Sequence, residues 1–483
     1  MKDRYTFATK AELDFIHEKS MEILETVGVI FAHDDAIAIF KEHGFRTEGQ
    51  TVFMTAADVE KALETAPATF EWVGRGSSVT VGGGKTICAP AYGPILVLEN
   101  GEFHKTTQRD FLNFTKLHAS SPVLDVSNPN MIDFNFMDAS IASNWAQATT
   151  LLLDTRPAIG MVDGYKHAED SIAMARRFYG AGDDQVMVNG LISVASPAHY
   201  SPAMCEALIT YAKAGQGMFI TPSSLNGMTV PGSLASLLLM NNVEVLAGIV
   251  LAQVINPGAP VIYGNQSHGC DLRYGTPSIG SPEQCLIFSA AKAFGDYYHL
   301  PVRTGGSSCD AKQVDMQAGV ESYATMFATL QSGADFMVHS CGSLDSDSTI
   351  SYDKYIYDEE ILLYIRRILR GIEVNEDTLL VDAIKDIGPG GTFLDLEDDL
   401  MDDSTEAYDD DYIILKVPSR EGHATWDSRG RRSVTDRTGK IVGERLAAYT
   451  MPDVTADQLA AFADFVPQDV LTSTIEAAKQ IDW

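Results

Sequence analysis

Between about residue 87 and residue 340 the chain alternates short, almost wholly apolar runs with longer segments whose apolar residues recur every three or four positions. The short runs are ICAPAY, VLDVSN, AIGMVD, VMVNGL, GMFITP, PVIYGN, PVRTGG and DFMVHS. Runs that are apolar at both odd and even positions suit strands covered on both faces, the condition of a parallel sheet. The helical stretches between them include DASIASNWAQATTLLLD, HAEDSIAMARRFYGA, PAMCEALITYAKAG, SPEQCLIFSAAKAFGDYY and GVESYATMFATLQSGA. Strand–helix alternation that reaches eight units predicts an α/β fold, a TIM (β/α)8 barrel, with the weakest pattern at the first and last strands. A doubly wound open sheet shares the alternation, but no GxGxxG opens any of these helices.

The segments on either side read differently. AELDFIHEKSMEILETVGV, DDAIAIFKEHGF and TAADVEKALETAP each carry helical periodicity, the first stopping at Gly28 and the third before Pro67. FEWVGRGSSVTVGGGKTI places glycine turns between β-rich runs, the pattern of a hairpin. Residues 1–86 are therefore expected to form a helical and hairpin preface, residues 87–372 the barrel, and residues 373–483 a mainly helical extension packed on it. No linker-like composition sets the extension apart.

Charge narrows the function classes. The chain has 35 Lys and Arg against 66 Asp and Glu, a formal charge of −31, and no basic stripe offsets it. Nucleic acid and anionic membrane surfaces are poor partners for such a surface. Some of the acidity is local, in DLEDDLMDDSTEAYDDD (Asp395 to Asp411), the composition of a solvated segment. Six scattered cysteines without CxxC pairs suit a reducing compartment. The start lacks an apolar signal region, and VEVLAGIVLAQVI is too short to cross a bilayer, so a cytoplasmic protein is expected.

In a barrel of this kind the reactive residues lie at the C-terminal ends of the strands. Those ends carry Tyr92, Asn128, Asn130, Asp163, Asn189, Ser223, Asn265, Gln266, His268, Ser307, Ser308, Asp310, His339 and Ser340. The set is polar but mostly uncharged. It lacks the paired carboxylates of glycoside chemistry, a Walker loop and a Ser/His/Asp set. Several members have a structural alternative: Asn and Ser cap helices, Asp310 suits pairing with Lys312, and His339 suits a hydrogen-bonded core histidine. His268-Gly269-Cys270, with Cys309 or Cys341, has the flavour of a thiolate zinc site whose third ligand is unfixed.

Four stretches resemble the trimethylamine methyltransferase family: HEKSMEILETVGVIF, GGSSCDAKQVDMQAGVES, STISYDKYIYDEEIL and WDSRGRRSVTDRTGKIVGERLAAY. The more specific parts are the Asp310-x-Lys312…Asp315-x-Gln317-Ala-Gly pattern and Asp358-Glu359-Glu360. The family archetype carries pyrrolysine and demethylates trimethylamine, whereas this chain passes through that region in standard residues. It is similar instead to the non-pyrrolysine branch, whose members demethylate betaine-like quaternary amines and pass the methyl group to a separate corrinoid protein.

The resemblance implies a TIM barrel and a quaternary amine substrate such as glycine betaine, proline betaine or carnitine. It implies no tightly bound cofactor or metal, cobalamin supplied by a cognate corrinoid protein, and a homo-oligomer. On that footing Asp310 and His339 are the expected catalytic residues. Tyr92, Tyr352 and Tyr355 are the expected faces for the methylated cation, with Trp145 and Phe136 less suited, each worth about 0.5–2 kcal/mol. Asn189, Asn265, Gln266 and His339 are expected to hold the substrate carboxylate. Gly305 and Gly306 would let backbone approach the substrate or the corrin, with Ser307, Ser308 and Asp310 turning polar groups into the mouth. Two alternatives stand beside this reading: a zinc-dependent thiol methyltransferase on the same barrel, and a non-catalytic quaternary-amine binder.

Overall fold

The computed structural model describes residues 8–182, 184–395, 398–480 and 483. Strands β1 (Ile87–Cys88), β3 (Ala158–Gly160), β4 (Val188–Val194), β5 (Gly217–Pro222), β6 (Val261–Gly264), β7 (Val302–Gly305) and β8 (Phe336–Val338) form one parallel sheet. The order is β1-β8-β7-β6-β5-β4-β3. The remaining gap is closed by residues 125–127, counted here as β2. Ser127 bridges Ala158, and the Asp125 amide donates to the Cys88 carbonyl at 2.8 Å. Pro122 and Pro129 flank this segment, and their missing amide donors account for so short a strand.

Each strand leads into a helix: α1 (Gln108–Ala119), α2 (Ala142–Leu153), α3 (Gly164–Tyr179), α4 (Pro202–Lys213), α5 (Leu234–Ile255), α6 (Pro282–Tyr298), α7 (Met316–Ser332) and α8 (Tyr352–Arg370). The eight-fold alternation is thus the barrel that the pattern predicts. Helix starts are locally encoded. Thr107 caps α1 with Asp110 returning the bond, Ser201 and Ser281 precede Pro at the first helical position of α4 and α6, and Asp315 caps α7.

The barrel interior is filled by Val126, Ile159, Leu191, Phe219, Ile262, Phe336 and Val338. Its bottom is plugged by Trp72, from the hairpin Phe70–Val73/Ser78–Val81. The Trp72 indole donates to the Met187 carbonyl at 3.0 Å, and its ring lies 6.1 Å from Phe336. The floor of the barrel is therefore packed, and its open end is the C-terminal one.

The preface is stitched into the barrel. Strand Val29–Phe31 pairs in parallel with His199–Tyr200 of the β4–α4 loop and heads a sheet with Thr51–Phe53 and Arg46–Glu48. At the mouth, the hairpin Leu96–Glu99/Glu102–Lys105 joins Ser343–Leu344 and Thr349–Ser351 in a further four-stranded sheet. The sequence pattern predicts neither this sheet nor α1.

Helix α5 corrects another expectation. At 22 residues, Leu234–Ile255 is long and apolar enough to cross a membrane by length and composition. About 67% of its most apolar window is buried inside the fold, against the barrel and the preface helices Lys10–Thr26 and Ala56–Thr65. Within the acidic run, α9 (Asp398–Asp411) is helical, with Asp402, Glu406, Asp409 and Asp410 exposed. Helix α10 (Val434–Ala448) packs along α8, where Thr438 donates to Asp353 at 2.6 Å and Arg445 pairs with Glu359.

Candidate active site

A cavity of about 380 Å³ opens at the C-terminal ends of the strands. Its floor is Leu191, with Ser193 above it on β4 and Thr221 on β5. Its wall takes Tyr92 from the β1 loop, Val162 and Asp163 from the β3 loop, and Met204 from α4. Ser223, Gln266 and His268 come from the β5 and β6 loops, Arg303 from β7, His339 from the end of β8, and Ser346 and Asp347 from the turn beyond.

Arg303 is the dominant charge. Val302 turns outward against α6, where its Cγ2 fills the space over Gly295, so Arg303 turns into the barrel. It is 1% exposed. Its Nη1 donates to the Asn265 carbonyl at 2.8 Å and its Nε has no partner. Among the described residues no carboxylate forms an ion pair with it. Burial pushes the guanidinium down to about 10, opposed by the more distant Asp347 and Tyr92. A buried cation without a paired anion, facing a cavity, is an anion site.

Two imidazoles flank it. Burial pushes His268 down to about 4, and His339 is also lowered, with burial outweighing the carboxylate of Asp347. Both are therefore neutral at pH 7. His339 holds left-handed backbone at φ 57°. Its carbonyl accepts from the Ser307 amide at 2.8 Å and the Ser307 hydroxyl at 3.1 Å, and its own amide donates to Pro90 at 3.1 Å. Its Nδ1 lies 3.3 Å from Ser343 Oγ and 3.5 Å from Asp347 Oδ1. Ser307 is itself anchored on Asp358, which pairs with Lys354 at 2.7 Å in a fully buried set.

The lining also holds an aromatic ring and two carboxylates. Tyr92 presents its ring, and burial raises its phenol well above the usual value. Asp163 stands at the N-cap of α3 but makes no capping bond with its side chain, which leaves the carboxylate to the cavity rim. Asp347 supplies a second rim carboxylate.

The expected site residues divide accordingly. Tyr92, Gln266 and His339 line the cavity, together with Asp163, Ser223 and His268. Asn189 is one layer deeper than Leu191, fully buried, its amide filling the space over Gly217. Asn265 faces α6, where its amide donates to the Ile287 carbonyl at 3.4 Å. Tyr352 and Tyr355 are core residues behind the barrel. Tyr352 stacks on Phe114 at 4.2 Å and donates to Asp110 at 2.9 Å. Trp145 is likewise core, against Phe111, and Phe136 packs on it.

The β7 loop is wall rather than mouth. A Cβ on Gly305 would meet Phe288 at 2.3 Å, and one on Gly306 would meet the His339 carbonyl at 2.7 Å. Their lack of a side chain thus serves protein packing. Ser307 and Ser308 are fully buried. Asp310 sits outside the cavity and ties its rim together. Its carboxylate accepts from the Ile279 and Gly280 amides at 3.1 and 3.0 Å and from the Ser346 hydroxyl at 2.7 Å. Arg303 and Asp347 were missed. Arg303 sits inside the apolar run PVRTGG, where a lone charge in a buried strand is the available signal.

Among the described residues His268, Cys270, Cys309 and Cys341 do not gather into a group with metal-ligand spacing. Cys270 contacts Met228 Sδ at 3.2 Å, while Cys309 and Cys341 are buried, and none of them converges with His268. Among the described residues the group with metal-ligand spacing is Glu99, His104 and Asp110, which does not line the cavity. There Arg109 pairs with Glu99, and Asp110 is taken up by Thr107 and Tyr352.

The family described as trimethylamine methyltransferase (MTTB) matches residues 2–470. The chain belongs to that family. It is a methyltransferase.

Within the family, the chain is 34% identical over 471 residues to the glycine betaine methyltransferase of Desulfitobacterium hafniense, covering 96% of this chain and 97% of the relative. It is 33% identical to the L-carnitine:corrinoid methyltransferase of Eubacterium limosum, covering 94% and 95%. It is 32% identical to the proline betaine:corrinoid methyltransferase of the same organism, covering 97% and 98%. Among solved structures, the Methanosarcina barkeri monomethylamine methyltransferase shares the fold, with a TM-score of 0.52 over 85% of this chain and 88% of that one, at 12% identity.

Proposed function

We propose that this methyltransferase removes a methyl group from a small quaternary-ammonium carboxylate and delivers it to the cob(I)alamin of a separate corrinoid protein. The observation that carries the reading is Arg303, a buried cation with no carboxylate of its own, in a small cavity that Tyr92 and the Asp163 carboxylate also line. A betaine is complementary to that arrangement at both ends. Its carboxylate pairs with Arg303, with Gln266 and the neutral imidazoles of His268 and His339 as further partners. Its trimethylammonium head cannot donate hydrogen bonds, so it rests on the Tyr92 face beside rim carboxylates. The named activities of the three relatives above all concern quaternary-ammonium carboxylates, which is the same chemistry.

A cavity of about 380 Å³ admits a betaine and not a corrin ring, so the corrin stays on its carrier above the mouth. Reduced cobalt supplies the nucleophile. The residues of this chain hold the N–CH₃ bond toward the opening and exclude water. The amine departs as a neutral tertiary amine, which requires no proton donor and agrees with two neutral imidazoles in the pocket.

The test is methyl transfer to cob(I)alamin followed by absorbance, with glycine betaine, proline betaine, carnitine and trimethylamine as candidate donors. Turnover with a carboxylate-bearing quaternary amine and none with trimethylamine is expected. Turnover with trimethylamine alone would overturn the reading.

A further inference from the structure

Two motifs of the sequence, Asp310-x-Lys312 and Asp358-Glu359-Glu360, lie outside the cavity lining. Glu359 and Glu360 hold the C-terminal extension. Glu359 pairs with Arg445, and Glu360 accepts from the Lys416 and Val417 amides at 2.8 and 3.2 Å. Asp358 does something else. It is fully buried on α8 and pairs with Lys354 one turn earlier, itself 1% exposed. One carboxylate oxygen accepts from Lys354 Nζ at 2.7 Å, the Ser307 hydroxyl at 2.8 Å and the Gly342 amide at 2.7 Å. Through that single atom α8 grips both the β7 loop and the β8 loop.

The clamped backbone is that of His339. The Ser307 hydroxyl proton is shared between Asp358 and the His339 carbonyl, which also accepts the Ser307 amide. His339 is left-handed, a conformation that a non-glycine residue keeps only when its surroundings impose it. The turn that follows is fastened in the same manner. Lys312 pairs with Asp345 at 2.9 Å, and Asp310 takes the Ser346 hydroxyl. The Asp345 and Ser346 amides donate to the Ala311 and Cys309 carbonyls at 2.9 and 3.0 Å. Both motifs thus converge on residues 339–347, whose two ends give His339 and Asp347 to the cavity. A buried lysine–carboxylate pair contributes little stability beyond that of apolar side chains of similar volume. It does fix several donors about one point, which apolar side chains do not.

We propose that Asp358, with Lys354 as counter-ion and Ser307 as link, is a positioning residue that aims the His339 imidazole into the cavity. None of the three lines the cavity, so their effect passes through His339. Taking His339 as a substrate contact rests on the function proposed above; the clamp itself does not.

Two readouts test it. Ser307→Ala breaks the link by removing one buried hydroxyl, and a double-mutant cycle with His339→Gln measures whether the two act together. Ser307→Ala is expected to lower kcat/KM about tenfold in the wild type and about twofold or less beside His339→Gln. The second readout needs no substrate, so a failed methyl-transfer assay and a failed clamp give different results. It follows the imidazole Cε1–H signal of His339 by NMR, assigned by its absence from His339→Gln. Burial holds this imidazole below its usual value, with Asp347 opposing and Arg303 assisting. Lys354→Met with Asp358→Leu removes the clamp without leaving an unpaired buried charge. In that variant the imidazole reaches water and is expected to titrate at higher pH than in the wild type. Lys354→Met with Asp358→Asn returns an acceptor to Ser307 and Gly342 and is expected to restore the wild-type titration. Equal losses in both backgrounds of the cycle overturn the proposal. So does a titration that the Met/Leu variant leaves unmoved while circular dichroism shows it folded, and so does an Asn variant that fails to differ from it.

Discussion

His339 Nδ1 lies 3.5 Å from Asp347 Oδ1 at the rim of the cavity, and both residues hold left-handed backbone, at φ 57° and 67°. Asp345 and Ser346 share that conformation, at φ 51° and 52°. Three successive non-glycine residues in this region are strained, and such strain collects where a side chain must be aimed. The aimed side chain here is Asp347, which opposes the effects of burial and Arg303 on the His339 imidazole.

Asp347→Asn removes the group that favours the protonated form of His339, so the imidazole titrates at lower pH than in the wild type. The acid limb of the kcat/KM–pH profile is expected to move to lower pH, with no change above pH 7. An unchanged acid limb would remove His339 from that titration.

Arg303→Met tests the anion site. Loss of one partner of a desolvated charge pair costs 2–5 kcal/mol, so kcat/KM for a carboxylate-bearing substrate is expected to fall about 100-fold or more. Removing a buried cation that has no paired carboxylate is expected to raise stability to unfolding, on the order of 1–3 kcal/mol. The two effects are read separately, by turnover and by chemical denaturation. A variant that loses both activity and stability would assign Arg303 a structural role.

Glu244 gives the fold its own pH dependence. It is fully buried on α5, where it accepts from the Ala198 amide at 2.6 Å, Ser196 Oγ at 2.8 Å and Ser224 Oγ at 3.4 Å, so it joins the β4 and β5 loops. Burial pushes its carboxyl up to about 7, against the hydrogen bonds. Between about pH 4.5 and 7 the folded chain therefore keeps a proton that the unfolded chain has lost. This contribution is whole below pH 4.5 and is lost as pH rises to about 7, a change on the order of 3 kcal/mol. Glu244→Gln keeps the bonding geometry without the charge. Denaturation curves at pH 5 and pH 8 should differ less for the variant than for the wild type.

Asp310 acts through the loops it fastens. Asp310→Ala frees the Ile279 and Gly280 amides and the Ser346 hydroxyl, and hydrogen exchange at residues 279, 280 and 345–347 is expected to rise. KM is expected to increase more than kcat falls, because the group touches the rim and not the reacting atoms. Asp310→Asn retains one acceptor and should recover part of the loss. An alanine variant with wild-type KM would detach this carboxylate from the site.

Much of the barrel was legible because strands covered on both faces must be apolar throughout, and GMFITP coincides with β5 residue for residue. Helix α1 was not, because a polar hairpin separates it from β1 and hides the unit's spacing. The site was legible by position but not by direction. A strand end locates Asn265, yet only the packed fold turns its amide to α6 and its carbonyl to Arg303. Tyr352 and Tyr355 match the expectation for cage residues in sequence because an aromatic outside the barrel and one facing its mouth look alike there. Arg303 was overlooked inside an apolar run, where its charge was the signal.

The pairing of β1 with β8, Ile87 beside Phe336, joins residues from opposite ends of the barrel sequence. Ribosomal synthesis delivers the largely apolar α5 long before residue 336 exists, so the emerging chain carries an unsheltered greasy helix while its ring of strands is still open. Contacts of such sequence separation form late and slowly. The preface helices Lys10–Thr26 and Ala56–Thr65, made first and packed on α5 in the finished fold, are available to cover it during that interval. Truncations that remove them are therefore expected to reduce soluble yield far more than they alter the cavity.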